Sequence, residues 1–332
     1  MKSDKKHKII ISLATYKKRF QKLQIVLPYI INQTIEYDNI IINVQDDLTD
    51  EEFSNFKEFE KLNNKIIVKK REAKWRSFNK YLHTYFEYPD AVIIVCDDDI
   101  KYENNYFEVL YKEWMNNKDC IICHEINPII INDFGYILIQ NNIDVKLKQK
   151  EFGKYLSNCC LFPPNCFKNS KISINDYNKF MELTNGVHDE LWLWLLSTLQ
   201  GTQCICLDYT VSFGLDGISL QNDIDSLCNI NSDSNNIKKY EEKINMIYGN
   251  DLKKIFNKIP CIFNVTRTNF MGIIGNIQWI NNIFKNYNII FDCNDNEIKK
   301  SHLILLAKNI KSHKWGNKII LQYFKKIIYV YK

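Results

Sequence analysis

The chain has 332 residues, 45% of them hydrophobic and 25% charged, with a net charge of +5. That composition describes a folded globular protein of one large α/β domain with an appendage, or of two modest domains. The basic balance is too slight for a surface that coats nucleic acid, so no nucleic-acid partner is expected.

The charged start, Met1 to His7, leads into an apolar run, Ile9 to Ala14, that is too short and lacks the cleavage site of a secretory leader. Lys8 to Ala14 reads as the first strand. Phe20, Leu23, Leu27 and Ile31 recur at helical spacing, and Pro28 within that pattern predicts a kinked or shortened helix. Asn39 to Val44 reads as a second strand ending at Gln45-Asp46-Asp47. Thr49-Asp50-Glu51-Glu52 is a capping box opening a helix that carries Phe53, Phe56 and Leu62. Lys65 to Val68 reads as a short strand, and Trp75 to Phe86 as a helix with Arg76 and Lys80 on one face.

Ala91 to Cys96 is apolar throughout and reads as a buried strand. A helix is expected from about Asn104 to Met115, then a strand-rich stretch from Cys120 to Phe167. Val187-His188-Asp189-Glu190 introduces an apolar helix, Leu191 to Leu199, closed by Gly201, and Cys204 to Leu207 follows as a strand. The alternation of strand and helix over these residues predicts an α/β fold with a mixed sheet flanked by helices. Between Gln221 and Asn236 the composition turns to Asn, Asp and Ser, which marks a linker. The expected organisation is a domain over 1–225 and a helical, basic C-terminal region over 226–332. Ser301 to Lys332 carries seven lysines and no acidic residue among apolar and aromatic side chains, a pattern suited to an anionic membrane surface or to an amphipathic helix packed on the core.

Eleven cysteines, an odd and irregularly spaced set, fit reduced thiols in a cytoplasmic protein. Cys120-Ile121-Ile122-Cys123-His124 matches the attachment signature of c-type haem. Its apolar surroundings predict buried core thiols instead, and no second Cys/His pair stands at zinc-ligand spacing. No window reaches the ~18 apolar residues of a membrane span.

Chemistry concentrates at Asp97-Asp98-Asp99, directly after the apolar strand. Three adjacent like charges are costly unless a cation neutralises them, and hard oxygen ligands suit Mg2+ or Mn2+. The end of a strand in an open α/β sheet is also where such folds hold ligands.

Four segments in order carry a family resemblance: Ser12-Leu13-Ala14-Thr15-Tyr16-Lys17-Lys18-Arg19, Asp97-Asp98-Asp99-Ile100, Phe162-Pro163-Pro164-Asn165 and Asp189-Glu190-Leu191-Trp192-Leu193-Trp194. Over roughly residues 8 to 225 the chain resembles bacterial GT-A-type glycosyltransferases of capsule and lipooligosaccharide assembly. The resemblance implies a Rossmann-like GT-A fold and a nucleotide-sugar donor, UDP-linked by expectation, whose diphosphate is held by Mn2+ or Mg2+. It implies Asp97 and Asp99 as metal ligands, and Asp97 and Asp98 as contacts of the donor. Thr15, Tyr16, Arg19, Asp46, Arg76 and Lys80 complete the implied donor site; turn and solvated-surface roles stand beside each. Asp189 is the implied base of an inverting transfer, with Glu190 as its understudy. Lys17 departs from the usual proline, and Glu190 from the usual second aspartate.

The segment Ser157-Asn158-Cys159-Cys160 stands where relatives often carry glycines, and is expected to line the acceptor side. His124 and His188 are expected to be structural. The implied acceptor is a saccharide hydroxyl, lipid-linked or not, with the enzyme peripheral to the cytoplasmic face of the inner membrane. Two other classes stay open: a metal-dependent nucleotidyl or phosphoryl transferase, for which no Gly-rich phosphate loop is visible, and a non-catalytic glycan- or membrane-binding protein of GT-A descent.

Overall fold

Apolar strands set the centre of the molecule, because strands buried on both faces read as continuous hydrophobic segments. In the computed structural model, which describes residues 7–127, 129–132, 135–138, 150–155, 159–207, 234–256, 261–264 and 289–292, four strands pair in parallel. They are β1 (Ile9–Thr15), β2 (Asn39–Gln45), β3 (Ile66–Arg71) and β4 (Val92–Cys96). The eight-stranded sheet runs β3-β2-β1-β4, then the strand Cys159–Phe162, β5 (Ile121–Cys123), the strand Cys204–Cys206 and the strand Lys150–Glu151. Cys159–Phe162 lies antiparallel to both β4 and β5, so the sheet is mixed, as expected.

The chain builds outward from β1 to β3 and then returns to the other side of β1 as β4. That reversal makes the β1/β4 boundary the switch point of the sheet, the crevice where α/β folds bind ligands. Ser12 of β1 is in register with Val95 of β4, so β1, ending at Thr15, runs two residues beyond the end of β4 at Cys96 and flanks the turn that follows it.

The flanking helices follow the sequence signals with informative exceptions. Helix α1 (Phe20–Ile31) continues past Pro28, which is exposed; the helix covers the sheet with Leu23, Val26, Leu27 and Ile30. The missing amide of Pro28 faces solvent, where Gln24 is also exposed and water can serve its carbonyl. Helix α2 (Asp50–Lys57) has the complete capping box between Thr49 and Glu52, but it ends five residues before Leu62, which is 61% exposed.

The largest departure concerns Trp75 to Phe86. Instead of one helix, a 3-10 segment Ala73–Lys80, kinked at Arg76, precedes a short helix α3 (Leu82–Glu87). Arg76 and Lys80 therefore do not share a face: Arg76 is exposed and Lys80 is buried. Helix α4 (Tyr106–Asn116) follows the acidic turn, and a helix not anticipated from the sequence, α5 (Tyr177–Thr184), precedes α6 (Asp189–Gln200). Helix α6 is apolar almost all round and is accordingly buried. Its Trp192 and Trp194 indoles donate to the Ile174 and Phe152 carbonyls at 3.3 and 2.8 Å. Gly201 closes it with φ 90°, the left-handed conformation that favours glycine at this position.

The chain divides into two compact units, one formed by Met1–Ile126 with Lys148–Tyr240 and the other by Asn127–Leu147 with Glu241–Lys332. The first holds the eight-stranded sheet. In the second, Ile129–Asn132 pairs antiparallel with Gly135–Leu138, and Cys261–Asn264 pairs in parallel with Ile289–Asp292. The helix Ser234–Phe256 takes up the last residues of the expected linker; the rest of that linker, Ser157, Asn158 and the basic segment Ser301–Lys332 lie outside the described residues. Among the described residues, no helix is long and apolar enough to cross a membrane.

Among the described residues, eight cysteines are free and buried, including Cys120 and Cys123 of the haem-like signature. The accompanying His124 is 2% exposed, its ring 4.2 Å from that of Tyr106, and neither ring nitrogen has a hydrogen-bond partner. Burial depresses its pKa to about 4. The unfolded chain takes up this proton near the ordinary value of 6.5 and the folded chain resists until about 4, so the fold loses stability as pH falls through that window. Carboxylates with raised pKa values drift the other way, so the test compares variants. His124→Phe keeps the ring and removes the orphaned nitrogens; it is expected to stabilise the protein by about 1–3 kcal/mol, with the gain growing between pH 6.5 and 4. Urea unfolding at three pH values checks this, and a pH-independent difference would contradict it.

Candidate active site

Three elements deliver charged side chains to the β1/β4 crevice. The turn after β4 presents Asp97, Asp98 and Asp99, and is tied down by the Asp97 amide donating to the Tyr102 hydroxyl at 2.8 Å. The turn after β1 brings Arg19, which donates to Asp98 Oδ1 at 3.0 Å and pairs with Asp99 Oδ2. Thr15, buried at the end of β1, places its hydroxyl beside Asp98. The Arg19 guanidinium lies 5.9 Å from the centre of the Tyr16 ring. The kinked segment Ala73–Lys80 brings Lys80, whose ammonium donates to Asp97 Oδ1 at 2.6 Å.

The fourth contributor is the N-terminus of α6. Asp189, its first residue, is 5% exposed and close enough to Lys80, Glu190 and Asp97 for each to move its pKa. Its Oδ2 is buried and has no hydrogen-bond partner. Glu190 faces Lys154 at 3.5 Å, and Glu125, half-buried, lies near both. His188, before Asp189, lies with its ring 5.1 Å from that of Tyr240 at a tilt of 60°, and is held neutral by burial, with a pKa of about 4.

Electrostatics here are dominated by desolvation. Burial pushes Asp98 up to about 7 despite Arg19, and Asp189 up to about 6 despite Lys80. Asp97 is raised by burial as well, with Lys80 opposing and Asp99 adding to the rise. Burial works against the charges of Arg19 and Lys80, but their aspartate neighbours outweigh it and both stay cationic. Among the described residues, Asp97, Asp98, Asp99, Glu125, Asp189 and Glu190 face Arg19, Lys80 and Lys154. The surplus is negative.

That surplus, with oxygen as the donor atom, fits a hard divalent cation. The Asp97 side chain is 25% exposed and open to one, whereas that of Asp99 is 5% exposed and engaged by Arg19. Among the described residues, no group of three or more His, Cys, Asp or Glu converges to hold a metal unaided. A shell completed by substrate phosphates, the usual arrangement for Mg2+, is the one these residues suit.

Of the residues that the sequence singles out, Thr15, Tyr16, Arg19, Lys80, Asp97, Asp98, Asp99, Asp189 and Glu190 gather around this crevice. Asp46 is exposed, and its Oδ1 accepts from the Ala73 amide at 2.9 Å, anchoring the start of the kinked segment. Arg76 is exposed with φ 45° and ψ −127°. Lys154 and Glu125 are not marked by the sequence, because they lie in a strand-rich stretch without a motif.

No protein-family model matches the chain, and no curated protein matches it. Among solved structures, one of S. aureus TarS aligns with a TM-score of 0.40 and 10% identity, over 61% of this chain and 35% of that one. Another, S. aureus TarS 1-349 in complex with UDP, aligns with a TM-score of 0.41 and 9% identity, over 83% and 81%. Likenesses of this size say nothing about activity.

Proposed function

We propose that the chain is a glycosyltransferase that moves a sugar from a nucleoside diphosphate, UDP foremost, to a hydroxyl of a surface-glycan acceptor. One observation carries the reading: the buried ammonium of Lys80 donates to Asp97 of the acidic triplet at 2.6 Å, and the buried Asp189 at the start of α6 is near enough for the same charge to lower its pKa. An ionised base beside a diphosphate-holding triplet is what displacement at a sugar carbon needs.

In this reading Asp97 and Lys80 hold the donor end, and Arg19 fixes Asp98 and Asp99. Mg2+ or Mn2+ bound at Asp97 supplies charge neutralisation to the departing diphosphate. Asp189 takes the acceptor proton as the new bond forms, which yields inversion. Helix α6 and the sheet fix the reacting groups, so positioning and electrostatics provide most of the rate. The donor and a lipid-linked acceptor place the enzyme at the cytoplasmic face of the inner membrane.

Calorimetry of UDP with and without Mn2+, followed by a donor screen for nucleoside-diphosphate release, tests this. Binding of free nucleoside triphosphate with pyrophosphate release would favour a nucleotidyl transferase instead. Absence of any nucleotide binding would leave a glycan-binding protein. Asp97→Asn is expected to weaken Mn2+-dependent UDP binding by at least the roughly 10–100-fold that loss of even a supporting partner costs a metal site. Unchanged affinity in that variant would remove Asp97 from the donor site.

A further inference from the structure

A loop beyond the end of a strand has no ladder to fix it, so its rigidity depends on where its backbone hydrogen bonds go. Asp97 is the first residue past β4, and its amide donates to the hydroxyl of Tyr102, five residues on, at 2.8 Å. That bond closes a ring over the acidic triplet. Tyr102 is 1% exposed, and its ring lies 5.3 Å from that of Tyr106 and 5.2 Å from that of Phe107, both on α4. A phenylalanine would fill this core position equally well; what tyrosine adds is the hydroxyl that the Asp97 amide uses.

The far half of the loop is fixed separately. Gln33, just after α1, donates to the Glu103 carbonyl at 2.7 Å and accepts from the Phe107 amide at 3.0 Å. The Thr34 amide donates to the Asn104 carbonyl at 2.7 Å. Tyr102 is thus carried by the framework of α1 and α4, and its hydroxyl extends that framework to the backbone of Asp97. The side chains of the triplet are held unequally. Arg19 pairs with Asp98 and Asp99, whereas Asp97, with Lys80 on Oδ1, has a side chain 25% exposed, the most open of the three.

We propose that Tyr102 is a positioning residue for Asp97: by holding the Asp97 amide it fixes this carboxylate in the crevice before Mg2+ or Mn2+ and the diphosphate arrive. The inference rests on the transferase reading above. Tyr102 itself, buried behind the turn, touches neither ion nor donor. It acts through the backbone of Asp97, while Lys80 acts on the side chain.

The test is the gain in UDP affinity that Mn2+ confers, measured by calorimetry with and without the metal. In Tyr102→Phe that gain is expected to fall by about 10–100-fold, the loss usual when the partner of a metal ligand is removed, with metal-free UDP affinity within about twofold of wild type. Phenylalanine keeps the ring and its packing, so a merely structural effect would leave the gain unchanged or lower both affinities together; either result overturns the assignment. Amide hydrogen exchange needs neither metal nor nucleotide: the Asp97 amide should be protected in wild type and lose that protection in Tyr102→Phe, while β1 and β4 keep theirs. An Asp97 amide unprotected in wild type, or still protected in the variant, also overturns it. A wild-type protein without any Mn2+-dependent gain would bring down the transferase reading and the cation site together, whereas a wild-type gain that survives in Tyr102→Phe removes the role of Tyr102 alone.

Discussion

Replacing Asp189 with asparagine is expected to abolish sugar transfer while leaving nucleotide binding intact. A positioned base contributes roughly 10²–10⁴-fold to a rate, so kcat should fall by about that factor. The amide matches the carboxylate in size, so the crevice keeps its shape; what disappears is a basic oxygen. Burial sets that basicity by pushing Asp189 up to about 6, against Lys80, which pulls it down. A carboxyl in that range is ionised at neutral pH and still a stronger base than an exposed aspartate, the balance a general base requires. The asparagine also removes one negative charge from a cluster with a surplus of them, so no loss of folding stability accompanies the loss of rate.

Glu190 supplies the internal comparison. It is more exposed and faces Lys154 at 3.5 Å, so Glu190→Gln is expected to slow transfer less than Asp189→Asn. Steady-state nucleoside-diphosphate release alongside UDP calorimetry checks both variants. Turnover by Asp189→Asn at the wild-type rate would show that the acceptor proton leaves by another route.

Much of this arrangement is legible in the chain itself. Continuous apolar runs such as Ile9 to Ala14 and Ala91 to Cys96 announce strands buried on both faces, and Asp97-Asp98-Asp99 announces where one of them emerges. Thr49 and Glu52 specify a helix start by local hydrogen bonds alone, and that start forms as written. What stays hidden depends on partners distant in sequence. The helical reading of Trp75 to Phe86 fails because Lys80 is drawn inward by Asp97, 17 residues on, and because Trp75 packs on Tyr177 and Phe180. Tertiary contacts there override a local preference worth only tenths of a kcal/mol per residue. Arg19 is similar: the opening motif marks it, but its pairing with Asp98 and Asp99 exists only because β1 and β4 are neighbours in register.

Lys80→Met is expected to be the most destabilising single change in the crevice. Lys80 is 4% exposed, and its ammonium is the cation nearest to both Asp97 and Asp189. Methionine fills the same volume but leaves the buried Asp189 and the half-buried Asp97 without compensation. Breaking a buried ion pair from one side costs about 3–5 kcal/mol, because the partner's desolvation is no longer offset. In a unit of this size that corresponds to a melting temperature lower by roughly 6–20 °C.

The sign of the pH dependence follows from the same charges. Without Lys80 the two carboxyls are raised further above their ordinary value, so the folded variant binds protons that the unfolded chain releases. Its deficit therefore grows as pH rises from 5 to 8 and shrinks on acidification. Asp97→Asn added to Lys80→Met should recover part of the loss, since one of the two stranded charges is gone. Melting curves of the three proteins at pH 5 and 8 decide the matter. A variant within 1 kcal/mol of wild type at both pH values, on the scale of an exposed pair, would mean that Lys80 does not bridge the donor end to the base.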